Sequence, residues 1–69
     1  MNGKIIEKDC RAAGFVGVMG IWRAAARDGF NPRGYVFGYC RNTLRRFDDE
    51  SAAINWQHGR AGADLFFIS

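Results

Sequence analysis

The run Asn31-Pro32-Arg33-Gly34-Tyr35-Val36-Phe37-Gly38-Tyr39-Cys40-Arg41-Asn42-Thr43-Leu44-Arg45-Arg46-Phe47 admits two secondary structures. Asn31 is a good helix N-cap, and Pro32 suits a first helical position. At 100° per residue from Tyr35, the side chains of Val36, Phe37, Tyr39, Cys40, Leu44 and Phe47 fall within an arc of about 200°. Gly34, Gly38, Arg41, Asn42 and Arg45 cluster opposite. This pattern predicts a helix to Phe47 with one core face and one basic face. The rival is a strand over Tyr35–Cys40, where aromatic and β-branched residues concentrate; it accounts for neither Asn31-Pro32 nor the apolar continuation to Phe47.

Upstream, Phe15, Met19, Trp22 and Ala26 recur at i, i+4, i+7 and i+11, with Val18 and Ala25 beside them. This is helical periodicity. Asp9 is placed to cap such a helix and Gly29 to end it. Gly14, Gly17 and Gly20 oppose its early turns, so Ile21–Asp28 is its firm part. Downstream, Asp48-Asp49-Glu50 suits the start of a third helix over Ser51–Gln57, closed by Gly59. A hairpin strand over the same residues is the alternative. Asp64-Leu65-Phe66-Phe67-Ile68-Ser69 reads as a buried closing strand, with Ile5-Ile6 in a short strand at Gly3–Lys8 as its natural partner.

The expectation is therefore a small α+β domain spanning residues 1–69: two central helices joined at Gly29–Pro32, a short third helix, and short N- and C-terminal strands. An all-α helical bundle is the alternative. With 69 residues, 48% of them hydrophobic and 25% charged, the chain has ordinary globular usage and is unlike a disordered segment. A domain this short is marginally stable, and a homodimer would help it. Met1–Lys8 lacks the form of a secretory signal, and no apolar run approaches the ~18 residues of a membrane span. A cytoplasmic protein with no membrane role is expected.

Chemistry-bearing motifs are scarce. Cys10 and Cys40 lack partners at metal-ligand spacing and read as structural thiols. His58 is the sole histidine. No phosphate loop, HExxH, CxxC or nucleophile elbow is present. Neither catalysis, a metal nor any other cofactor is expected.

Charge is unevenly distributed. Residues 11–47 hold Arg11, Arg23, Arg27, Arg33, Arg41, Arg45 and Arg46 against Asp28 alone, a net +6, whereas residues 48–69 sum to −3. Arginine suits phosphates and carboxylates through bidentate bonding. Arg23 and Arg27 share a helix face by i, i+4 spacing, as do Arg41 and Arg45 in the helical reading of Asn31–Phe47. The segment Arg23–Val36 resembles a helix-turn-helix in outline, with small residues, a turn glycine and a basic second element. These features point to a non-enzymatic binding module. Arg23, Arg27, Arg33, Arg41 and Arg45 would engage nucleic acid or an anionic surface of a nucleic-acid-handling protein. The alternative is a phage-type inhibitor of host machinery acting by protein–protein binding, in the format of anti-CRISPR proteins. Tyr35, Tyr39 and Trp22 are assigned to the core.

Overall fold

The computed structural model describes residues 7–11 and 14–69. In chain order these form β1 (Glu7–Asp9), α1 (Gly17–Asp28), β2 (Val36–Cys40), β3 (Thr43–Phe47), α2 (Glu50–His58) and β4 (Asp64–Phe67). The strands make one antiparallel sheet in the order β1-β3-β2-β4. The architecture is α+β, and it excludes the all-α bundle.

The decisive difference from the sequence reading lies in Asn31–Phe47, which is a β-hairpin and not a second central helix. Asn31 caps no helix. Its side-chain oxygen accepts the Arg33 amide at 3.0 Å, and the Tyr35 amide bonds the Pro32 carbonyl at 3.2 Å. The same two residues that signal a helix start thus build a turn. Cys40 then pairs with Thr43 across a two-residue loop, in which Arg41 and Asn42 take φ of 51° and 67°. Positive φ at both central positions matches the right-handed twist of a tight hairpin. The helix-turn-helix outline disappears with the second helix.

Arg41 is a poor residue for that backbone, since in the left-handed region Cβ crowds the following carbonyl oxygen at a cost of about 1–2 kcal/mol, which the short polar side chain of Asn offsets by local hydrogen bonding. Asn42 is tied to the loop by the Tyr39 hydroxyl at 3.0 Å. Arg41→Asn should therefore raise stability by about 0.5–1 kcal/mol, seen as an increase of several degrees in the thermal midpoint. An unchanged or lower midpoint would contradict the turn assignment.

Two crossovers complete the sheet. The chain from β1 through α1 to β2 steps over β3, and the chain from β3 through α2 to β4 steps over β2. Both steps run in the same direction across the sheet, but β1 and β2 run opposite to β3 and β4. Two crossovers of one hand must then place their helices on opposite faces. That is the arrangement: α1 packs with Phe37 and Leu44, α2 with Val36 and Phe47, and these alternate in facing along their strands.

α1 begins at Gly17, earlier than its firm part in the sequence, and buries Gly20, Ile21, Ala24 and Ala25. Asp9 does not cap it. That carboxylate instead accepts the Arg11 amide at 3.0 Å and its guanidinium at 2.7 Å. Gly29 ends α1 in the left-handed region, with its amide on Ala26 at 3.2 Å and the Phe30 amide on Ala25 at 3.1 Å, a Schellman closure. The Asp49 carboxylate accepts the Ser51 amide at 3.0 Å at the start of α2, and Gly59 follows its last turn, as the sequence predicts.

The closing strand is present but differently partnered. β4 pairs with β2, and β1 pairs with β3 at the opposite edge of the sheet. Ile5 and Ile6 lie outside the described residues, and β1 does not pair with β4. Ile68 is buried, Leu65 and Phe66 are half-buried, and Phe67 is 55% exposed.

Candidate protein-docking face

The periodic stripe Met19, Trp22, Ala26 is the outer face of α1, so Trp22, assigned to the core in the sequence, lies at the surface instead. Around the helix axis, Val18, Trp22, Ala26 and Met19 span an arc of about 100°, opposite Ile21, Ala24 and Asp28. Ile21 and the two small alanines face the sheet because its α1 side already carries large rings, Phe37, Tyr35 and Tyr39. Met19 is 67% exposed, Val18 45% and Trp22 36%. Two further residues extend the patch. Val16 precedes the helix at 64% exposure, and Arg33, held by the Asn31 turn, lies over the Trp22 ring at 5.4 Å.

Arg23 and Arg27 lie next to Met19 around the axis. Arg23 reaches the Gly14 carbonyl at 3.5 Å. Among the described residues the ion pairs are Lys8–Asp28 at 3.3 Å and Arg11–Asp9 at 2.7 Å. Arg23, Arg27 and Arg33 thus have no carboxylate partner within that set, and three guanidinium groups surround an apolar surface.

The hairpin sends the remaining arginines elsewhere. Arg41 and Arg45 do not share a solvent face with Arg23 and Arg27. Arg45 sits on the α2 side with its guanidinium 5.2 Å from the Phe47 ring. Arg41 lines an open cleft of about 300 Å³ with Glu7, Cys40, Thr43, Trp56 and Arg60. Arg46 turns to the α1 side, 4.8 Å from the Tyr35 ring and 5.6 Å from Phe30, with its NH1 nitrogen buried and without an acceptor. The two rings offset the cost of that charge through their negative faces, so Arg46 belongs to the packing.

The two thiols lie on opposite sides of the sheet. Cys10 is buried on the α1 side, where burial pushes its thiol up. Cys40 borders the cleft on the other side, and His58 does not line it. Both thiols are free. Among the described residues no group of three His, Cys, Asp or Glu side chains is placed to hold a metal ion. No described helix is long and apolar enough to cross a membrane. The chain matches no known family model, no curated protein and no solved structure.

Sequence reasoning named Arg23, Arg27 and Arg33 as binding residues and assigned Trp22 to the core; it did not include Val16, Val18 or Met19 among the binding residues. The available signal was a second, smaller apolar arc on the same helix, formed by Ile21, Ala24 and Ala25.

Proposed function

We propose that the protein is a non-enzymatic docking module that presents the outer face of α1 to an acidic, partly apolar surface of another protein. The exposure of Met19, Val18 and Trp22 on one helix face carries this reading. Trp, Met and Arg are the residue types enriched in interface cores and hot spots. Phosphates attract arginine but gain nothing from Met19 or Val18, whereas an amphipathic helix entering a groove uses both kinds of residue. The separation of Arg41 and Arg45 from Arg23, Arg27 and Arg33 weighs against one continuous nucleic-acid track. The inhibitor format fits such a docking face, since blocking a partner requires only a stable complex.

The test compares two photo-crosslinking positions, Met19 on the outer face of α1 and Asn55 on the exposed side of α2. Protein crosslinks should form from Met19 and not from Asn55, and should survive nuclease treatment. Trp22→Ala should weaken capture by about 2 kcal/mol, roughly 30-fold, with the circular dichroism spectrum unchanged. Exchanging Arg23, Arg27 and Arg33 for Gln should reduce the salt dependence of capture. Capture abolished by nuclease, together with oligonucleotide binding at ~50 mM salt that these exchanges remove, would transfer the face to nucleic acid.

A further inference from the structure

The two edges of the sheet are unlike. β1 presents Glu7, Lys8 and Asp9, and charged residues protect an edge against pairing with another strand. β4 presents Asp64-Leu65-Phe66-Phe67, with no lysine, arginine, proline or glycine. Its groups left unpaired among the described residues can be located. The Ile68 amide bonds the Tyr35 carbonyl at 3.3 Å and its carbonyl accepts the Gly34 amide at 2.8 Å, so Ile68 faces β2. By alternation Phe66 and Asp64 also face β2, while the amides and carbonyls of Leu65 and Phe67 point away from the sheet.

We propose that two copies of this chain join through β4, with Leu65 of each opposite Phe67 of the other and a two-fold axis at Phe66, giving one continuous sheet of both copies. The occupant is a second copy because the edge is complementary to itself. In this register each Leu65–Phe67 pair exchanges both backbone hydrogen bonds, and the exposed Phe67 ring covers the half-buried Leu65 on the α2 side. The Phe66 rings meet on the α1 side. The charges agree as well: Asp64 falls opposite Ile68, so no like charges meet at the seam. The assembly also closes, since joining two β4 edges leaves only the charged β1 edges at its ends, and growth stops at two.

The axis is perpendicular to the sheet, which keeps both α1 helices on one side. Gly17 at the start of α1 lies against the Phe66 ring, so the exposed Val16 approaches the seam from each copy. This interface borders the docking face only at Val16, is distinct from Met19, Trp22 and Ala26, and does not depend on what those residues bind.

Sedimentation velocity on the 69-residue chain from ~1 to ~500 μM, where mass action fills a weak dimer, is the direct test. A concentration-dependent monomer–dimer equilibrium is expected. Phe67→Pro removes an outward amide that makes no bond among the described residues, and proline is tolerated on an edge strand. Phe67→Lys keeps the backbone and adds the edge charge that β1 already has. Both variants should remain monomeric with an unchanged dichroism spectrum. In the unmodified chain, the Leu65 and Phe67 amides should exchange with solvent ~10-fold more slowly at high concentration. The proposal is overturned by a chain that stays monomeric throughout, by amide exchange independent of concentration, or by a dimer that survives Phe67→Lys but is lost in Met19→Glu. That last outcome would place self-association on α1.

Discussion

Phe37→Ala is expected to leave the chain without a cooperative thermal transition. Phe37 lies at the centre of β2, fully buried, with Arg46 opposite on β3 and Phe66 opposite on β4. Its ring meets Tyr35 edge to face at 6.4 Å and packs with Ile21, Ala24 and Ala25 of α1. Truncating a buried phenylalanine costs about 3–5 kcal/mol, including the cavity left behind. A domain of this length has a total stability of similar size. The alanines facing Phe37 are too short to fill the space, so relaxation recovers little. Phe37→Leu should cost much less and retain a sigmoidal melt at a lower midpoint. If the alanine variant melts cooperatively within a few degrees of the parent, α1 is not held by this ring.

The second large effect is expected at Gly38 and Trp56. A Cβ on Gly38 would stand 2.3 Å from one Trp56 ring carbon and 2.8 Å from two others. Gly38 is therefore needed for space, with no demand on its backbone angles. The indole is held in place by Phe47 at 5.5 Å and by Arg60, whose guanidinium lies 5.0 Å from the ring and donates to the Trp56 carbonyl at 3.1 Å. The clash is with a ring fixed on both sides, not with the end of a flexible chain. Gly38→Ala should cost about 1–3 kcal/mol through overpacking, and Gly38→Val more. Trp56→Leu alone should cost a similar amount by opening a void. Combined, Gly38→Ala and Trp56→Leu should be less damaging than the sum, by at least about 1 kcal/mol, because the added methyl occupies part of that void. Denaturant melts of the four proteins give this coupling. Strict additivity would mean that α2 does not rest on Gly38.

The contrast between α2 and the hairpin explains what was legible beforehand. α2 follows from local chemistry: Asp49 caps it, Gly59 follows it, and neither depends on the rest of the molecule. The end of α1 at Gly29 and the closing strand at Leu65–Ile68 are local in the same sense. The hairpin is different, because its strands are covered on both faces. Val36, Gly38 and Cys40 meet α2 while Phe37 and Tyr39 meet α1, so polar and apolar residues do not alternate and the run resembles an apolar helix face. The turn, Arg41-Asn42, contains no glycine to announce it.

The candidate face was half legible for a related reason. Arg23, Arg27 and Arg33 could be identified as surface residues from charge. Met19 and Trp22 could not, because helical periodicity reveals an apolar arc without saying which of two arcs meets the sheet. The choice is made by size. With Phe37, Tyr35 and Tyr39 filling the interior from the sheet, only the narrow side of α1 can face them.

The strand order also sets a sequence of events in time. Cys40 and Thr43 are separated only by the turn, whereas Val36 meets Phe67 only after β3 and α2 have passed, and Glu7 meets Arg45 only after α1 and β2. Closing a short loop loses little entropy, and each longer one loses more before any contact rewards it. The β2–β3 hairpin is thus expected to be the nucleus on which both outer strands condense. Substitutions in its turn are then expected to change the folding rate, and substitutions in β4 the rate at which the native state opens, as the two arms of a chevron would show.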